Sequence, residues 1–174
     1  VHQVSLNSFS SLVVMASQSI IIYTDGAALG NPGPGGYGAV LIFGPHRKEI
    51  SAGFRLTTNN RMELLAVIEA LRSIKVAGFA VDIYTDSKYV CDAIEKGWIF
   101  GWKKKGWKNV KNVDLWLQFI PLYEQFKPKF HWVKGHAGVI ENERCDYLAT
   151  TAAKSTPTDT DLEYEALKSG GQLL

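Results

Sequence analysis

A chain of 174 residues with 46% hydrophobic and 21% charged residues has the ordinary composition of a soluble globular protein and is long enough for one domain with a sizeable core. It holds no apolar run near the roughly 20 residues that a membrane-spanning helix needs. The net charge is only +2, but four acids (Asp159, Asp161, Glu163, Glu165) and one base (Lys168) fall in residues 155–174, so residues 1–154 carry +5. Five bases lie between Lys103 and Lys111, which points to a polyanionic partner.

Residues 1–18 are expected to be a leader, either disordered or added upstream of a native start at Met15. Residues 1–14 have no Lys or Arg, so they match neither a secretory signal nor a transit peptide. The first strand is predicted over 19–25, and its consecutive Ile20, Ile21 and Ile22 imply burial on both faces. A glycine-rich loop follows, from Gly26 to Gly36. It holds Pro32 and Pro34 and leads into another strand, Tyr37 to Phe43, so it is not a dinucleotide-binding turn. Such a loop lets backbone approach a ligand closely. Gly44 to Arg47 reads as a hairpin turn, with a third strand over 48–55.

Thr57 to Asn60 supplies caps for a helix whose Leu64, Leu65, Ile68 and Leu71 fall at helical spacing. Glu63 lies off that stripe near the helix start, where an acid also complements the macrodipole. Ala80 to Thr85 is the fourth strand. A strand–helix–strand order implies a right-handed crossover, so this strand runs parallel to the first. Asp25 and Asp86 then share the carboxyl edge of the sheet, where open α/β sheets place ligands. Asp86 also suits a helix N-cap, with Ser87 competing for that role.

A helix is predicted from Ser87 to Gly97. Beyond it, Trp98, Trp102 and Trp107 interleave with Lys103, Lys104, Lys105, Lys108 and Lys111. Exposed aromatics beside cations suit phosphate contact and stacking on nucleic acid. Asn112 caps a further helix that Pro121 is expected to kink. Lys129 to Lys134 is the fifth strand, with His131 read as structural. His136 stands in the loop after it, between Gly135 and Gly138, and is a proton-carrier candidate if acids lie nearby. The last helix carries Cys145, Leu148, Ala149 and Ala152 on its buried stripe, leaving Asp146 toward the sheet edge. Cys91 and Cys145 have neither C-x-x-C spacing nor a zinc-spaced histidine and read as reduced packing residues, consistent with a cytoplasmic location. Residues 155–174 are expected to be a mobile acidic tail, and 19–154 to be the working domain.

The chemistry lies in the carboxylates. Asp25, Glu63, Asp86 and Asp146 are predicted to converge. Four such groups cannot share a small site at neutral pH without positive charge between them, and a hard divalent cation such as Mg2+ prefers oxygen ligands.

Asp25-Gly26 with Gly30 to Gly36, Thr57 to Leu64, Thr85 to Val90, Gly101 to Trp116 and Gly135 to Asp146, in unbroken order over 19–154, closely resemble ribonuclease H of the bacterial type 1. The resemblance implies an α/β fold, a five-stranded mixed sheet of order 3-2-1-4-5 with helices on both faces. It implies hydrolysis of the RNA strand of an RNA–DNA hybrid, leaving 5′-phosphate and 3′-hydroxyl ends, largely without sequence preference. It further implies two Mg2+ ions, with Mn2+ as a substitute, held by Asp25, Glu63, Asp86 and Asp146, and proton transfer assisted by His136. The substrate contacts it implies are Gly26, Asn31, Thr58, Asn59 and Lys88, and a basic protrusion carrying Trp98, Trp102, Lys103, Lys104, Lys105, Trp107 and Lys108. It also implies a monomer without an obligate protein partner. Lys88 departs from the family's common glutamine, and the protrusion is shorter after Lys108. Two rival readings remain: a DNA-cutting or strand-transferring nuclease of the same broad fold, and a hybrid-binding module without catalysis.

Overall fold

The computed structural model describes residues 18–170. The leader expected over 1–18 therefore lies, but for Gln18, outside the described residues.

Five strands and six helices alternate in the order β1 (Ser19–Ala28), β2 (Gly33–Phe43), β3 (His46–Thr57), α1 (Asn59–Arg72), β4 (Ala80–Thr85), α2 (Lys88–Glu95), α3 (Trp98–Lys104), α4 (Val113–Phe126), β5 (Lys129–Trp132), α5 (Ile140–Lys154) and α6 (Leu162–Lys168). They build one sheet in the order β3-β2-β1-β4-β5, as the sequence suggests. β1, β2 and β3 form an antiparallel meander. β4 and β5 join parallel to β1, as the crossover connections require.

β2 starts inside the expected glycine-rich loop. Gly35 and Gly36 pair with Ala28 and Ala27, so the ladder runs to the sheet's edge. The three isoleucines do not lie in a fully buried strand. Ile20 and Ile22 are buried, whereas Ile21 and Tyr23 are half-buried. On the Ile22 face, α1 brings Leu64, Val67, Ile68 and Leu71, joined by Val90 of α2, by Trp116 and Phe119 of α4, and by Phe130 of β5. On the other face α5 packs over β1, β2 and β3 with Cys145, Ala149 and Ala153 buried, a thinner cover. Side chains alternate along a strand, so unequal covers give alternating burial. Pro121 sits inside α4, whose helix continues through it to Phe126.

The expected mobile tail is docked as far as α6. The Arg55 amide donates to the Asp159 carbonyl at 2.8 Å. Asp161 is buried and accepts from Thr57 Oγ1 at 2.7 Å and from Arg61 Nε and Nη2 at 2.6 and 2.7 Å. Arg61 is 1% exposed; its Nη1 donates to Asp114 Oδ1 at 2.9 Å, and its Nη2, shared between the two acids, donates to Asp114 Oδ2 at 2.7 Å. Burial works against the Arg61 charge, and the bonds to Asp114 and Asp161 outweigh it. The acidic composition that suggests disorder instead supplies the partner for a buried guanidinium.

Candidate active site

β1 and β4 lie in register with Thr24 opposite Thr85, so Asp25 and Asp86 stand side by side just beyond the carboxyl end of that pairing. α1 docks against that same point. A Cβ on Gly26 would overlap the backbone of Met62 and Glu63, so glycine is required for the strand to meet the helix, and Glu63 arrives beside Asp25.

The start of α1 is clamped to the loop between β1 and β2. Asn31 Oδ1 accepts from the Asn59 amide at 2.9 Å. Asn59 Oδ1 accepts from the Ala28 amide at 3.1 Å, and Asn59 Nδ2 donates to Glu63 Oε1 at 3.2 Å. Thr58 caps the helix, its Oγ1 accepting from the Arg61 amide at 3.4 Å. The second Glu63 oxygen accepts a short hydrogen bond from Ser87 Oγ. Ser87 also caps α2 by accepting from the Val90 amide at 3.2 Å. Ser87 takes the cap, and Asp86 stays with the other acids.

The loop from β5 to α5 closes over Asp86. A Cβ on Gly135 would lie 2.5 Å from Asp86 Oδ2, so the chain passes directly against that carboxylate. The next residue, His136, is exposed and holds a left-handed backbone with φ 53°. Asp146, half-buried on α5, completes the group.

Burial and the neighbouring acids act on Asp25 and Glu63. Asp25 is 8% exposed. Its pKa is pushed from 3.8 up to about 8, first by burial and then by Asp86, with Asp146 and Glu63 adding; the Gly26 N–H, donating to Asp25 Oδ1 at 2.7 Å, opposes the shift. Glu63 is raised from 4.5 to about 7, again first by burial, with the Ser87 bond opposing and Asp86 adding. Among the described residues, no three His, Cys, Asp or Glu side chains are gathered tightly enough as they stand to grip one metal ion. The donor set nonetheless fits a hard divalent cation. It is all oxygen, open to one side, and carries more negative charge than the site holds comfortably without a cation.

The substrate residues expected from sequence divide into groups. Asn31, Thr58 and Asn59 are the clamp just described. Gly26 is buried and its N–H is engaged by Asp25, so that amide is not free to read a ribose hydroxyl. Lys88 is exposed in the first turn of α2. The tryptophan–lysine segment is partly helical: α3 ends at Lys104, with Lys103, Lys104, Lys105 and Lys108 exposed. Only Trp98 of its three tryptophans is exposed, at 44%. Trp102 and Trp107 are half-buried against the core, with the Trp102 ring 5.6 Å from Trp116. They anchor the protrusion, because an α3 of seven residues needs tertiary packing to persist.

Sequence reasoning missed two residues at this edge. Ser87 was read only as a helix cap, and nothing in its spacing shows that it also holds Glu63. Trp132 is marked by the sequence only as part of the fifth strand, yet its ring is 48% exposed and its Nε1 donates to the Asp86 carbonyl at 3.0 Å.

The RNase H family model matches residues 17–154. A ribonuclease H of Rippkaea orientalis is 54% identical over 153 residues, covering 85% of this chain and 93% of that protein. One from Aeromonas salmonicida is 55% identical over 151 residues, covering 84% and 97%. Among solved structures, LC9-RNase H1, described as a type 1 RNase H with the type 2 active-site motif, aligns with a TM-score of 0.72 at 33% identity over 86% of this chain and 81% of that one. LC11-RNase H1 in complex with an RNA/DNA hybrid aligns with a TM-score of 0.60 at 28% identity, covering 78% and 96%. With the sheet order, the carboxylate edge and these likenesses in agreement, the chain belongs to the ribonuclease H family of hydrolases.

Proposed function

We propose that this protein is an endoribonuclease that hydrolyses the RNA strand of RNA–DNA hybrids, leaving 5′-phosphate and 3′-hydroxyl ends. One observation carries the reading: Asp25, Glu63, Asp86 and Asp146 meet at one sheet edge, where burial first and then the neighbouring acids push Asp25 up to about 8 and Glu63 up to about 7. Such a cluster calls for cations. Asp25, Glu63, Asp86 and Asp146 would hold two Mg2+ ions, or Mn2+ in their place. Those ions supply activation of the attacking water and stabilisation of the leaving oxygen.

The chain's own residues do the rest. Ser87 and Asn59 fix the two Glu63 oxygens, and Gly26 fixes one Asp25 oxygen, so the carboxylates are pre-aimed. The attacking water gives up a proton as its oxygen bonds phosphorus, the P–O3′ bond breaks, and the 3′ oxygen takes up a proton. His136, exposed and next in the chain to the Gly135 that abuts Asp86, would relay protons with solvent. Trp98 and the lysines from Lys103 to Lys108 contact the DNA strand, while Asn31, Thr58, Asn59 and Lys88 contact backbone near the cut. Contacts confined to phosphate and sugar give cutting with little sequence preference. Among the described residues no helix is long and apolar enough to cross a membrane. The reading is of a monomer acting in the cytoplasm.

A strand-labelled hybrid incubated with Mg2+, and in parallel with EDTA, tests this. Cuts in the RNA strand that vanish with EDTA are expected. Cutting of duplex DNA instead would favour the DNA-cutting or strand-transferring alternative, and tight binding without cutting would favour the binding module.

A further inference from the structure

Trp132 ends β5 at the register step before Asp86, opposite Thr85, and the Val133 amide continues the pairing by donating to the Thr85 carbonyl at 3.0 Å. Its neighbour on the same strand face, Phe130, is 7% exposed and belongs to the core. Trp132 stays 48% exposed, yet two contacts hold it. Its Nε1 donates to the Asp86 backbone oxygen at 3.0 Å, and the Lys88 ammonium lies 5.2 Å from its ring centre. A tryptophan serving only as a plug for the sheet edge would bury its ring. This one presents half of it to solvent, beside a lysine, at the rim of the carboxylate cluster.

We propose that Trp132 is a positioning residue for the hydrolysis: its indole N–H pins the Asp86 backbone, and its open ring, with Lys88, forms a wall against which the hybrid lies. This rests on the hybrid-hydrolysis reading above. The pin acts where β4 turns into α2, so it sets where Asp86 and Ser87 sit, and through Ser87 where Glu63 points. The cation over the ring holds Lys88 Nζ at a fixed height, ready for a phosphate, and the ring offers a stacking face to sugar or base.

Kinetics on a hybrid and hybrid affinity by fluorescence anisotropy in EDTA, for Trp132→Phe, Trp132→Ala, Lys88→Ala and the double Ala variant, test it. Trp132→Phe keeps a ring and loses the N–H, so kcat should fall about three- to tenfold, the worth of one net hydrogen bond, with KM little changed. Trp132→Ala should add about a tenfold loss of affinity and rise in KM, the worth of one stacked face. Lys88→Ala should weaken binding in the wild-type background but add little to Trp132→Ala, because the lysine has then lost its rest. Wild-type kcat in Trp132→Phe, or losses from Trp132→Ala and Lys88→Ala that multiply independently, overturns the proposal. If Trp132→Ala melts below the assay temperature, Trp132→Phe alone decides. A wild-type protein that binds hybrid without cutting sinks the hydrolase reading, while the affinity series still decides whether Trp132 forms the wall.

Discussion

Replacing Asp25 by Asn should stabilise the cation-free protein while abolishing its turnover. The folded-state pKa of Asp25 is raised from 3.8 to about 8. Below about pH 4 the carboxyl is protonated in folded and unfolded chains alike, and the shift has no effect on stability. As pH rises, the unfolded chain gives up its proton first, and the folded state becomes progressively more costly until pH passes the folded pKa. At pH 7 the gap is about three pH units, and at about 1.4 kcal/mol per unit the upper bound is about 4 kcal/mol. Asn keeps the oxygen that accepts from Gly26 and removes the charge. A gain of about 2–4 kcal/mol at pH 7 follows, or roughly 5–15 °C in melting temperature for a chain of this size. Thermal unfolding of both proteins in EDTA, from pH 4 to pH 9, is the assay. The advantage of Asn should be absent near pH 4, grow through neutrality and level off above pH 8. A flat difference across that range, or an Asn variant less stable at pH 8, would refute the claim that burial and the neighbouring acids strain Asp25. Full hybrid cleavage by the variant with Mg2+ would refute its assignment as a ligand.

The docked tail and the protrusion give two further expectations. Asp161→Ala leaves Arg61 with one carboxylate partner, the half-buried Asp114, and should cost about 3–5 kcal/mol, read as a lower midpoint in urea; an unchanged midpoint would mean the tail contributes no stability. Replacing Lys103, Lys104 and Lys105 together by Ala should weaken hybrid binding and reduce the slope of log affinity against log salt by up to about 3. If the slope is unaltered, these lysines do not touch phosphate.

Much of the site was legible because its signals are local. Asp25 and Asp86 each end an apolar run with Thr-Asp, and one crossover rule aligns the two strands. Glu63 follows a run of cap residues, so its place near a helix start was readable, though its neighbours were not. What stayed hidden depends on partners distant in sequence. Asp161 reads as part of a polar tail until Arg61, 100 positions earlier, is found buried against it. Trp102 and Trp107 look like exposed stacking residues until Trp116 and the core are seen behind them. The half-burial of Ile21 depends on how thickly α5 covers the sheet, which no periodicity in β1 records.

The junction at Arg61 also sets an order of events during synthesis. Arg61 lies two residues from Glu63, on the helix that carries the asparagine clamp and the Thr58 cap. Its second carboxylate comes from Asp161, beyond all five strands and α5. A ribosome that has delivered all five strands and the four acids has therefore delivered Asp114 but not yet the carboxylate that meets the other side of the Arg61 guanidinium. Until Asp161 emerges, the helix that carries Glu63 holds a buried guanidinium whose Nε has no carboxylate partner.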